Sequence, residues 1–172
     1  MLTKTLLHTF LDYNYQANAR ILEAFAALTP VQARQESAIS HGNALDLIRH
    51  MADTEWSWRL YTGEGTGGKY LWDIEDISDL TKLAAFWEKE REQMFTYLDS
   101  LPENALAEVV ELSPTFRVPR WQIFLHLVNH STHHRSELNQ YLTQCGHPIS
   151  EEELNFIRFG VETGEKYSIF NG

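Results

Sequence analysis

Four of the chain's eight histidines fall between residues 126 and 134: His126, His130, His133 and His134, in the run HLVNHSTHHR. Three chemistries suit such a run: a metal site built on ring nitrogens, a proton-transferring base, or a polar helix face rich in imidazole. At about 100° per residue, with His130 at zero, His134 lies near +40° and His126 near −40°. Glu137 falls near −20°, Tyr141 near +20° and His133 about 60° to one side. So 126, 130 and 134 form a stripe one turn apart that runs on into Glu137 and Tyr141. Large apolar residues (Phe124, Leu127, Leu138, Leu142) border it, as expected of a cavity lining rather than an open face. Two histidines at i and i+4 can bring two nitrogens to one ion.

A metal needs a further ligand. His50, in LIRHMADTEW, is the leading candidate on another helix, with Asp53 as an acceptor for its ring or as a ligand itself. His8, His41 and His147 are weaker: one near a helix start, one at a helix entrance, one after Gly146. There is no HExxH protease motif, no pair of Glu-x-x-His motifs for a di-iron site and no c-type haem attachment motif. Spacing alone leaves structural and metal roles open for each histidine. A single site of neutral imidazoles would suit Zn²⁺, Ni²⁺, Fe²⁺ or Mn²⁺.

The elements that must position these residues show apolar spacing of three and four. The first helix covers LLHTFLDYNYQANARILEAFAAL and ends before Pro30. A second begins near SHGNALDLIRHMADTEWSWRLYTG, capped by Ser40 or Asn43, and closes at Gly63 and the run GEGTGG. Residues 63–78 read as a loop. The third helix, SDLTKLAAFWEKEREQMFTYLDSL, is capped by Ser78 or Asp79 and stops at Pro102. Residues 106–119 carry β-branched residues around Ser-Pro, a short hairpin or an extended crossover. The fourth helix, RWQIFLHLVNHSTHHRSELNQYLTQCG, begins at Pro119 and ends at Gly146. A short terminal helix, SEEELNFIRFG, takes Ser150 as its cap. Trp56 and Trp58 differ by about 200°, so only one can face inward. The pattern predicts an all-α four-helix bundle, as one domain over 1–172, with a small extended or hairpin segment before the fourth helix.

The formal net charge is −10 and no Lys/Arg cluster is present, which argues against nucleic acid and anionic membrane as partners. One cysteine, Cys145, fits a reducing compartment. The start lacks a signal-peptide pattern and no run is long enough to span a bilayer, so a cytoplasmic protein is expected.

Three pieces, DYNYQANARIL, SHGNALDLIRHMADTEWSW and HLVNHSTHHRSELNQYLTQCG, resemble the DinB/YfiT-like superfamily in order and spacing over roughly residues 5–147. The last is the most specific, since the hallmark reads N-H-x-x-H-H-R. The resemblance implies up-down-down-up connectivity, a homodimer, and a divalent metal on His50, His130 and His134, with Zn or Ni first and Fe or Mn as alternatives. It leaves His126 to line the cavity or bond a neighbour, and Arg135, about 140° from His130, to tie the helix to another element or a dimer mate. Relatives often have Gly where this chain has Ser136. The resemblance further implies a small-molecule substrate and a low-molecular-weight thiol as cosubstrate in S-transfer. Activation of bound water, giving a hydrolase, and a non-catalytic metal-stabilised bundle are the other readings. Glu137 and Tyr141 are the candidate proton acceptor or substrate contact, set against a plainer role as solvated or dimer-facing residues.

Overall fold

Thr3, Asn43 and Asp79 each accept a backbone N–H from the first turn that follows them, supplying partners for donors that a helix start leaves free. The helices they open are α1 (Lys4–Phe25), α3 (Ala44–Glu64) and α4 (Leu80–Ser100). Between the first two lies α2 (Pro30–Arg34), where Pro30 opens a new turn under a Thr29–Gln32 capping box instead of only ending the old helix. A two-stranded antiparallel hairpin, β1 (Val109–Ser113) and β2 (Phe116–Pro119), then leads into α5 (Arg120–Gln144). The computed structural model describes residues 2–65, 70–73 and 79–162. Ser78, the alternative cap, lies outside them.

Side-chain contacts fix the directions of the four long helices. Lys4 Nζ donates to the carbonyls of Asp99 and Leu101, both at 2.8 Å, so α1 and α4 run antiparallel. Trp87 meets Glu55 and Glu90 meets Arg59, so α3 and α4 advance together. Arg120 reaches the Thr62 carbonyl while His130 meets His50, so α5 opposes α3. The bundle is therefore up-down-down-up. Leu7, Leu11, Ile21, Leu47, Ile48, Met51, Leu83, Met94, Leu98, Leu127, Leu138 and Leu142 fill its core, each contributing about 1.5–3 kcal/mol by leaving water.

Two boundaries differ from expectation. The Ser150 hydroxyl and the Glu153 carboxylate do exchange capping bonds, yet residues 151–154 form only turns. The last helix, α6 (Phe156–Glu162), starts later, where Asn155 Oδ1 accepts the Ile157 N–H at 2.9 Å. Ahead of the hairpin, residues 106 and 107 belong to a 3₁₀ turn, Glu103–Ala107, and not to the extended segment. Gly146, at φ 87°, lets the chain leave α5 and return the His147 N–H to the Leu142 carbonyl. Among the described residues no helix is long and apolar enough to cross a membrane.

Candidate metal centre

Helix α3 delivers His50 from its second turn and α5 delivers His130 and His134 from its middle. The three Nε2 atoms converge: His50 Nε2 lies 3.0 Å from His130 Nε2, which lies 3.2 Å from His134 Nε2. Two nitrogens each about 2.0–2.1 Å from one ion sit roughly 2.8–3.4 Å apart at right-angled to tetrahedral openings. The observed spacings fall in that range. Without a cation the arrangement is poorly satisfied. A single Nε2 of His130 faces two other ring nitrogens, and each imidazole nitrogen is either a donor or an acceptor. His130 Nδ1 is buried with no partner among the described residues. The Nε2 atoms of His50 and His134, each about 3 Å from that of His130, are spaced as ligands of one divalent ion would be.

The protonation state agrees. Burial, with the neighbouring His41 and His134 rings adding to it, lowers the His50 pKa to about 4. Burial, again with its histidine neighbours, lowers that of His130 to about 3. Both rings are thus neutral at pH 7, the form that offers a lone pair. Glu137 Oε2 accepts from His134 Nδ1 at 3.0 Å, which turns the His134 Nε2 lone pair inward. The Ser40 hydroxyl holds the other Glu137 oxygen at 2.8 Å. Burial works to raise the Glu137 pKa, but the His134 and Ser40 donors outweigh it and lower the value overall. His133 leans outward and exposed, 3.6 Å from Glu137.

The remaining candidates separate. Tyr141 donates its hydroxyl to the Gln32 carbonyl at 2.6 Å, tying α5 to α2 instead of facing the cluster. Asp53 Oδ1 accepts the Leu71 N–H at 2.6 Å and anchors the loop beyond α3. Among the described residues its hydrogen bond goes to that loop and not to the His50 ring. Thr54 Oγ1 lies 3.5 Å from His50 Nε2, the nitrogen that also meets His130. His126 lines an apolar pocket of about 160 Å³ with Trp58, Phe116, Val118 and Ile123, its ring 5.7 Å from that of His130. Trp56 is buried while Trp58 stands at this pocket.

Arg135 explains the rest of the hallmark run. Its Nη1 donates to Asn14 Oδ1 and Asn18 Oδ1, both at 2.7 Å. The amide nitrogens of the same two residues donate to Glu55 Oε1 at 2.9 and 3.1 Å, joined there by Ser131 Oγ at 3.1 Å. Trp87 Nε1 fills Glu55 Oε2 at 2.6 Å. A buried Arg–Asn–Glu relay thus locks α1, α3, α4 and α5 together beside the histidines. Asn14 and Asn18, one turn apart within an apolar stripe, were the signal for it in the sequence. His41, one of the weaker candidates in the sequence, lies against the cluster: its ring stacks on that of His50 with centroids 3.9 Å apart. Its signal was a histidine directly before Gly42 and the Asn43 cap.

A crystal structure of a DinB-like protein (YjoA) from Bacillus subtilis has a similar fold, with a TM-score of 0.62 and 16% identity, covering 81% of this chain and 94% of that one. No curated protein matches the chain. The family model described as DinB family matches residues 1–158.

Proposed function

The chain belongs to the DinB family, and from that premise we propose that it is a metal-dependent enzyme acting on a small molecule, with His50, His130 and His134 as the metal ligands. The observation that carries the proposal is the convergence of three Nε2 atoms, from two helices, at 3.0 and 3.2 Å. A divalent ion there, Zn²⁺ or Ni²⁺ before Fe²⁺ or Mn²⁺, would act as a Lewis acid and lower the pKa of a thiol or water brought to it.

The chain's own residues do the rest. Burial keeps His50 and His130 neutral. Glu137 fixes the His134 tautomer. The apolar pocket beside His126 excludes water next to the cluster and takes the hydrocarbon part of a substrate. The reaction is S-transfer from a low-molecular-weight thiol to an electrophile, as the family resemblance implies. The protein works as a homodimer in the cytoplasm, in keeping with its single cysteine.

Metal-loaded protein offered a model electrophile with bacterial thiols should consume both, and His130→Ala should abolish the reaction. Ester or amide hydrolysis without thiol dependence would replace S-transfer by the hydrolase reading. No turnover of either kind would leave a metal-stabilised bundle.

A further inference from the structure

His41 is the only described residue other than glycine with a positive φ, 63°. Such a conformation is unfavourable for a side chain with a Cβ, and it persists where the surroundings enforce it. Glycine is available one residue on, at Gly42, also left-handed at φ 80°, yet the histidine occupies its own left-handed position. The turn is pinned from both sides. The Ser37 N–H donates to the Gly42 carbonyl at 2.8 Å and the Gly42 N–H to the Ile39 carbonyl at 3.2 Å. The Ser40 hydroxyl is tied to Glu137, and through it to His134. These bonds deliver an exposed ring, with no part in core packing, onto the histidine cluster. It stacks on His50 at 3.9 Å with 24° between planes, and meets His134 edge-on at 6.1 Å. Ring nitrogens of His41, His50 and His134 all lie within 4.8 Å of one another.

We propose that His41 is a fourth nitrogen donor, carried on this turn, for the ion that His50, His130 and His134 hold. The inference rests on the three-histidine reading of the site. In the stacked pose the His41 ring lies 24° from the plane of His50, with its ring nitrogen within 4.8 Å of nitrogens on His50 and His134. The adjoining cavity, about 480 Å³ and lined by His41, Asp46, Arg49 and His50, leaves the side chain room to turn. Three helix-borne ligands and one loop-borne ligand complete a tetrahedral shell. The loop-borne one is the ligand a substrate can displace without disturbing the bundle.

X-ray absorption on the zinc-loaded protein, with zinc affinity from chelator competition, tests this. Phenylalanine at position 41 keeps the stack but removes the donor; glycine relieves the backbone. The wild type should show four imidazoles. His41→Phe and His41→Gly should each show three, and bind zinc at least tenfold more weakly. A purely conformational role would leave His41→Gly as tight as the wild type, and a purely stacking role would leave His41→Phe so. Either result, or three imidazoles in the wild type, would overturn the proposal. His130→Ala separates the two levels: it should lose zinc whatever His41 does, and full zinc retention there would overturn the underlying site as well.

Discussion

At the scale of single residues, the site depends on keeping imidazoles neutral and aimed. Glu137 aims His134 without itself joining the three converging nitrogens. Glu137→Gln should therefore weaken metal binding by about 10–100-fold, the usual effect of losing an outer partner, with little change in the stability of the metal-free protein. Chelator competition and urea unfolding separate the two effects. The pH dependence has a definite sign. His50 and His130 have folded pKa values of about 4 and about 3, both below the ordinary 6.5. Metal-free protein is thus fully stabilised with respect to these groups above about pH 6.5, and loses stability as pH falls from there toward those folded values. The urea midpoint should drop between pH 7 and pH 4.5 in the wild type and drop less in a His50→Asn, His130→Asn double variant. Equal slopes would contradict buried neutral histidines.

At the scale of elements, the bundle is held in register by a polar relay as well as by its apolar faces. Arg135 bonds Asn14 and Asn18, which bond Glu55 in turn. Arg135→Met should destabilise the fold by about 3–5 kcal/mol, because it leaves Glu55 and two amide oxygens buried without their charge partner. Denaturant unfolding measures this, and a loss below about 1 kcal/mol would count against the relay. The sequence is legible where one periodicity decides the outcome: the apolar spacing locates α1, α3, α4 and α5, and the 100° rule places His130 and His134 on one face. It is less legible where local bonds compete. Ser150 and Glu153 carry the capping residues of a helix, yet close only a turn before α6 starts at Phe156. The Asn14–Glu55 contact joins residues far apart in the chain, so no spacing rule reaches it. His41 reads as a weaker candidate for a similar reason, since its reach to His50 is set by a left-handed turn and not by helical geometry.

At the scale of the molecule, α3 and α5 each supply part of the cluster, so an ion bound there joins two helices that the unfolded chain holds apart. Binding confined to the folded state stabilises it. Zinc at about 100 times its dissociation constant should add roughly 2.7 kcal/mol, a rise in Tm of roughly 5–10 °C for a domain of this size. EDTA should reverse the rise, and it should be absent in His130→Ala. The DinB family assignment and the up-down-down-up bundle fix the frame in which the histidines meet. The most direct test of the central claim is the metal content of purified wild type beside His50→Ala and His130→Ala. The account predicts about one divalent ion per wild-type chain and less than about a tenth of that in either variant, since each loses one of three converging ligands. Equal metal content in all three proteins would contradict it.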